Sequence, residues 1–438
     1  MRYLLNIILV TLIFASCQQE VKDYDHLIND AEIVHDYMDK LSDVIVHDIF
    51  SPPVASRNYV YPSIAGYEAI LHSSKDLESF VGRLNGFENV AQPDTSLEIS
   101  FPLASIQAFH VVSKALIFSE DTLAQFHHTF LEDLKQKGFP EKVLMASQDF
   151  GNAVATSILE WANEDNYKET RSYPKYTVDY EPHTWKPTPP AYMSSIEPHW
   201  NKIRPMVLDS ATQFVPDPPT EFNLDKDSRF YKEMMEVYTA VKDADEEQTE
   251  IANFWDCNPY KMNQTGHVMF ATKKITPGGH WIGIAKIASQ KANLSMEKTM
   301  EVYALCSIAL FDGFISCWDE KYRSKLIRPE TVINEHVDED WLPILQTPPF
   351  PEHTSGHSVI SRAAAVVLTE IFGENFSFDD DTELQYGLPI RSFASFKEAS
   401  EEAAISRLYG GIHYRPAIDY GVAQGENVGE FIIEELNI

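Results

Sequence analysis

Apolar residues recur at intervals of three and four along most of the chain. Ile33, Val34, Tyr37, Met38, Leu41, Val44, Ile45 and Ile49 form one such series, the spacing that lines one face of an α-helix turning every ~3.6 residues. The same period predicts helices over 58–74, 103–117, 120–136, 141–165, 226–242 and 246–257. It returns over 279–294, 296–316, 319–337, 356–373, 396–409 and 414–436. Prolines separate many of these runs, because a missing N–H and a fixed φ end a helix. Strand-like alternation is confined to short stretches, and no segment repeats another. The predicted fold class is all-α: a large helical bundle, read as two packed four-helix-bundle-like halves.

The stretch 166–225 breaks the rhythm. It contains TWKPTPPAYMSSIEPHWNKIRPMVL, rich in proline and aromatic residues. A long irregular segment inside a compact domain has a function or is disordered, and disordered tracts are poor in large apolar side chains. Trp185, Tyr192, Trp200, Ile203 and Met206 therefore predict a packed collar wrapped around the bundle. The organisation expected is a leader over 1–17, a polar tether over 18–28 and an N-terminal helical region over 29–165. The wrapping segment over 166–225 follows, then a C-terminal helical region over 226–438 that carries the chemistry within one integrated domain.

Composition changes the picture at three points. The 35 basic and 66 acidic residues leave a net charge of −31, which disfavours nucleic acid as a partner. Any anion site must then be made locally, by a few cations aimed inward. Acids in DADEEQTE at 243–250 suit the positive end of a helix. Those in FDDDTE at 378–383 lack a spaced calcium-ligand pattern and read as a solvated loop.

The N-terminus, MRYLLNIILVTLIFASCQQE, has Arg2, an apolar run to Phe14, then Ala15, Ser16 and Cys17. That is the layout of a secretory signal, too short for a mature membrane span. Small residues before a lone cysteine resemble a bacterial lipoprotein cleavage box. The expectation is an exported, lipid-anchored periplasmic or cell-surface lipoprotein that meets the membrane only through acylated Cys17. Cys257, Cys306 and Cys317 match no zinc spacing and read as buried free thiols.

Three segments carry candidate chemistry. In WDEKYRSKLIRP, Lys321 and Arg328 lie seven residues apart, placing them on one helix face about 10 Å apart along its axis. Pro329 ends or kinks that helix. TPPFPEHTSGHSVISR runs into a helix that starts near Ser355, whose unpaired N–H groups attract anions. Gly356 removes a Cβ from the approach, and His357 stands in the first turn. SRLYGGIHYRPAIDYG adds Arg407 and, beyond a glycine pair expected to bring the turn close to the anion, His413. Each segment alone is what an ordinary solvated face or helix cap also produces. Together they supply three cations, helix N–H groups and two imidazoles, the parts needed to bind a tetrahedral oxyanion and move protons around it.

Lys321 with six residues before Arg328-Pro329, then Ser355-Gly356-His357, then Ser406-Arg407 with five residues before His413, resembles the three-part signature of the type 2 phosphatidic acid phosphatase and vanadium-dependent haloperoxidase superfamily. Thr354 stands where the superfamily usually has proline, and Ala417 where phosphatases have the aspartate that orients the nucleophilic histidine. WKPTPPAY, RPMVL, FWDCNPY at 254–260, Trp318 and Phe350 resemble the long bacterial haloperoxidase branch, with the likeness nearest to vanadium-dependent iodoperoxidases of marine bacteria.

The resemblance implies vanadate, vanadium in the +5 state, as cofactor, and hydrogen peroxide and a halide, iodide first, as reactants. His413 would ligate the metal. Lys321, Arg328, Ser355, Gly356 and Arg407 would hold the oxygens, His357 would pass protons, and Lys321 would donate to bound peroxide. Trp318, Phe350 and Tyr260 would wall the halide pocket. Asp256, Asn258 and Asp419 are the candidates to support the far nitrogen of His413. The alternative is an acid phosphatase cleaving phosphomonoesters through His413 at the same pocket. A binding-only protein would not need paired histidines, and the H-E-x-x-H pattern of a metal hydrolase is absent.

Overall fold

The computed structural model describes residues 23–265 and 267–438. The leader, Cys17 and residues 18–22 of the tether lie outside them. Among the described residues the chain forms fourteen α-helices and two small hairpins. An N-terminal group holds α1 (Ala31–Asp48), α2 (Pro52–Ile70), α3 (Phe101–Leu116), α4 (Glu120–Gln136) and α5 (Glu141–Asn163), followed by the one-turn α6 (Tyr167–Thr170). A C-terminal group begins with α7 (Arg229–Lys242) and α8 (Glu246–Phe254). It continues through α9 (Pro277–Lys291), α10 (Met296–Ser324) and α11 (Pro329–His336) to α12 (Gly356–Phe372), α13 (Phe396–Tyr409) and α14 (Arg415–Leu436). Between α8 and α9, β1 (Lys261–Thr265) pairs antiparallel with β2 (Val268–Thr272), and β3 (Phe378–Asp380) pairs with β4 (Arg391–Phe393) before α13.

Local chemistry sets the helix starts. Asp30, Ser100, Ser228, Thr276, Ser295 and Ser395 each accept a first-turn N–H through the side chain. DADEEQTE closes a full capping box between Asp245 and Gln248. Every residue of α2 is buried. α10 is long and apolar enough to cross a membrane by composition, yet almost all of it is inside the protein, as expected of a helix that is hydrophobic all round. α10 packs on α2 on one side and α12 on the other, and α12 packs on α13 and α14. One core runs from Val34 to Leu436, so the two halves share α10 rather than stand as separate bundles. Gly425 lets α14 approach α12 closely, since a Cβ there would lie 2.2 Å from the Val359 carbonyl oxygen.

The collar over 166–225 is packed. Trp185, Trp200, Ile203 and Met206 are buried, whereas Tyr192 is 64% exposed and adds nothing to the packing. Its anchor is Asp312 of α10, whose carboxyl oxygens accept the N–H groups of Met206, Val207 and Leu208 at 2.6, 2.8 and 3.0 Å. Two further expectations are corrected. The helices expected over 296–316 and 319–337 are instead α10, continuous to Ser324, and a separate α11. Nothing between 316 and 319 breaks a helix, whereas Lys325 turns left-handed (φ 51°) and Arg328, preceding a proline, is extended. The expected solvated loop FDDDTE instead buries Asp380 and Glu383 completely, because His280 stands between them.

Candidate active site

The reversal after α10 builds the first wall. Lys325 O accepts the Trp185 N–H (2.8 Å), Ile327 N donates to His183 O (2.9 Å), and Leu326 O accepts the Glu352 N–H (3.0 Å). Held between these neighbours, the chain points Arg328 inward from the first position before α11. Its Nε donates to Phe350 O at 2.9 Å and its Nη1 to Ile412 O at 2.8 Å, with His413 Nε2 3.1 Å from the same Nη1. Arg328 Nη2 is buried without a partner among the described residues. Lys321 and Arg328 therefore converge by chain reversal and not along one helix face.

His413 follows the turn after α13. Gly411 has φ +79°, and a Cβ there would come within 2.6 Å of Val241 and 3.0 Å of Pro343. The glycine pair is thus required by packing against α7 and the 343–345 segment, not by the approach of an anion. His413 Nδ1 lies 2.8 Å from Glu352 Oε1, which also accepts the Tyr414 N–H at 2.9 Å. That contact puts the imidazole proton on Nδ1 and leaves a lone pair on Nε2. Burial, followed by the charges of Arg328, Lys321 and Arg407, holds His413 well below the usual histidine range, so the ring is neutral. Burial also pushes Glu352 up to about 7, against the pull of Arg328 and Lys321.

Glu352 replaces all three expected supports. Asp256 pairs with Lys261 at 3.2 Å, Asn258 accepts the Tyr260 N–H at 3.0 Å, and Asp419 sits exposed on α14. The signal in the sequence was an acid three residues before Ser355 amid prolines, but its partner is 61 residues away. Ala417, in place of the phosphatase aspartate, is buried and offers only its carbonyl, which accepts the Ser355 N–H at 2.9 Å.

The start of α12 forms the second wall. Ser355 Oγ accepts the Ser358 N–H at 3.3 Å and keeps its own proton to donate. A Cβ on Gly356 would stand at an ordinary 3.6 Å from Trp318, so protein packing does not demand the glycine, whose missing side chain leaves the cleft open. His357 hydrogen-bonds the Trp255 carbonyl, while its Nε2 has no partner. Burial, then Arg407 and His280, keep it well below the histidine range. Arg407 donates through Nη2 to the same Trp255 carbonyl and through Nε to Ser406 Oγ (2.9 Å). Thr354, where proline is usual, donates to Gln424 Oε1 at 2.7 Å, tying the loop to α14.

Lys321 departs from expectation. Its ammonium donates to the carbonyls of Pro351 (3.1 Å), Glu352 (3.0 Å) and Thr354, which uses all three protons and leaves none for peroxide. It fixes the loop entering α12, and burial lowers it to about 8.

These elements surround a cleft lined by Tyr260, Trp318, Phe350, Gly356, His357, Arg407 and His413, with Asp256 and several prolines. Lys321, Arg328 and Ser355 stand behind that surface. Phe350 covers the two cations, its ring centroid 5.1 Å from Lys321 Nζ and from Arg328 Cζ, and packs 4.9 Å from Trp318. Met193 and Ile196 bring the collar to the cleft, where Ile196 O accepts the Trp318 indole N–H at 3.3 Å.

Residues 301–437 match the model of the VCPO second helical-bundle domain. A solved structure described as the first bacterial vanadium-dependent iodoperoxidase superposes with a TM-score of 0.89, at 52% identity over 95% of this chain and 98% of that one. The chain belongs to the vanadium-dependent haloperoxidases. Holo and apo structures of a bacterial vanadium-dependent chloroperoxidase share the haloperoxidase fold at 14% identity, with TM-scores of 0.66 and 0.67. They cover 96% and 88% of this chain, and 98% and 94% of their own. No curated protein sequence matches the chain.

Membership makes vanadate the cofactor, and the haloperoxidase cleft suits such an oxyanion. Arg328 Nη2 is a buried donor with nothing to bind, and His357 Nε2 is a buried acceptor in the same state. Burial has already removed both from water; an oxyanion would supply the acceptor that Arg328 lacks, and a hydroxyl on it the donor that His357 lacks.

Proposed function

We propose that the chain oxidises halide, iodide first, with hydrogen peroxide at vanadate held through His413 Nε2. The observation that carries the proposal is the neutral His413, its Nδ1 proton engaged by Glu352, facing an Arg328 whose Nη2 is unsatisfied. When bound, vanadate supplies Lewis acidity towards peroxide without changing its oxidation state. Arg328 and Arg407 would neutralise its oxygens, and the Ser355 hydroxyl and the Gly356 N–H would add donors at the mouth of α12. His357, fixed by Trp255 with Nε2 free, takes a proton from incoming peroxide and returns it later. Lys321 acts through its charge and the loop it braces. Trp318, Phe350 and Tyr260, with flanking prolines, exclude water and present a polarisable wall to a large halide. Iodide is favoured because the 52%-identical relative is described as an iodoperoxidase and iodide is the easiest common halide to oxidise. From the leader pattern that ends at Cys17 we further propose that the protein is exported and tethered by that cysteine once acylated.

The test is reconstitution of chelator-treated protein with vanadate, followed by triiodide formation with peroxide. Iodide oxidation should appear only after loading, and added phosphate should compete with vanadate. Absence of turnover in loaded protein beside phosphomonoester hydrolysis by the vanadate-free form would overturn the proposal.

A further inference from the structure

Beside the cleft, three buried side chains from distant segments converge: Cys257 after α8, His280 in α9 and Glu383 after β3. Cys257 Sγ lies 3.5 Å from His280 Nδ1 and 4.0 Å from Glu383 Oε1, and Nδ1 lies 3.3 Å from that same Oε1. Zinc bonded to sulfur at ~2.3 Å and to nitrogen and oxygen at ~2.1 Å, at tetrahedral angles, sets ligand edges of roughly 3.4–3.6 Å. Two observed edges agree within about 0.1 Å of that range, and the third is longer by about 0.4 Å.

We propose that Cys257, His280 and Glu383 bind a divalent transition-metal ion of the zinc type, separate from vanadate. The surroundings fit a ligand histidine. His280 Nε2 lies 2.8 Å from Asp380 Oδ2 and 2.8 Å from Thr382 Oγ1. An Nε2 proton given to Asp380 orients the ring and frees Nδ1 for the metal, the carboxylate–histidine–metal arrangement. Glu383, wholly buried, has an Oε2 that makes no hydrogen bond; the nearest cation is Lys274 Nζ at 3.7 Å. A thiolate and a carboxylate neutralise a dication, so the unit can be buried without net charge. No spacing rule could find it, since the ligands come from three separate segments and only one is a cysteine.

The site has a consequence for catalysis. Trp255 stacks on His280 with centroids 4.6 Å apart, and its carbonyl holds both Arg407 and His357. Cys257 itself lines the cleft. An ion here would clamp the 255–258 segment and, through it, the base and one cation of the active site.

The experiment is metal analysis of full-length protein as purified, with exchange of the bound ion for cobalt. Wild type should contain a stoichiometric divalent metal besides vanadium. Its cobalt form should show a thiolate-to-cobalt charge-transfer band that survives Cys306→Ser and disappears in Cys257→Ser. Absence of both the metal and the band in wild type would overturn the proposal, and so would a band that persists in Cys257→Ser. Because the wild-type measurements decide the matter, a poorly folding variant does not rescue it. Neither readout depends on peroxidase turnover, so the two proposals fail separately.

Discussion

Replacing Glu352 with glutamine tests the role of His413 at a residue that touches neither cofactor nor substrate. The amide oxygen can still accept from His413 Nδ1 or Tyr414 N, now at 2.8 and 2.9 Å, but carries no charge. A hydrogen bond to a charged group contributes about 1.5–3 kcal/mol and one between neutral groups about 0.5–1.5 kcal/mol. The loss at His413 is therefore ~1–2 kcal/mol, roughly 5–30-fold, which overlaps the roughly 10–100-fold weakening seen when a support for a metal-bound histidine is replaced; the lower range is expected. Vanadate affinity, measured by equilibrium dialysis at pH 8, should fall by about that factor. Glu352 titrates near about 7, so the difference between variant and wild type should shrink as pH falls below 7 and the native carboxyl takes up a proton. Thermal stability should move the other way. A carboxyl with a raised folded pKa stabilises most below its unfolded value and loses that contribution as pH rises through about 7. The glutamine variant should then be at least as stable as wild type at pH 8. Asp419→Asn, at an exposed site, should bind vanadate normally. If Glu352→Gln binds as tightly as wild type at pH 8, the carboxyl does not tune His413 and the tautomer argument is wrong.

His357→Ala should retain vanadate but lose about 10²–10⁴-fold in turnover, the range for a lost general acid–base group; vanadium content and triiodide rate, taken together, check it. Glu68, a buried residue of α2 held by Ser79 Oγ and Phe80 N at 2.7 Å each, is pushed up to about 7 by burial. Its stabilising contribution is lost as pH rises through that value, so Glu68→Gln should gain stability relative to wild type between pH 5 and pH 8 in urea titrations. Cys17→Ser should move the protein from the membrane fraction to the soluble fraction; unchanged membrane association would remove acylation as the anchor.

Much of this molecule was legible because its signals are local. Helical periodicity, proline stops and serine or aspartate caps act within a few residues, and most predicted helices stand close to where the pattern put them. Errors arose where geometry depends on distant partners. Lys321 and Arg328 looked like neighbours on one helix, yet a left-handed Lys325 and an extended pre-proline residue fold Arg328 back between the 183–185 and 350–352 segments. Asp380 and Glu383 carry the pattern of solvated acids, yet His280, about a hundred residues earlier in the chain, stands between them. Glu352 carries no sequence signal of its own, because a buried carboxyl has meaning only through a partner 61 residues away. The three-part motif survives these errors, since it records residue types and leaves their routes to the cleft unspecified.

The route matters for the chemistry in one further respect. A chain with a net charge of −31 has acids in plenty to quench a cationic centre, and the fold commits those near it to other partners. Lys321 is satisfied by three carbonyls, Arg328 by two and Arg407 by a carbonyl and a hydroxyl. Neutral dipoles solvate these charges without cancelling them, and burial consequently lowers Lys321 to about 8 and both arginines to about 10. The nearby acids are otherwise engaged: Glu352 with His413, and Asp256 with Lys261. The positive potential thus stays unspent until an oxyanion enters. For that reason the centre should bind vanadate or phosphate while the rest of the surface repels polyanions.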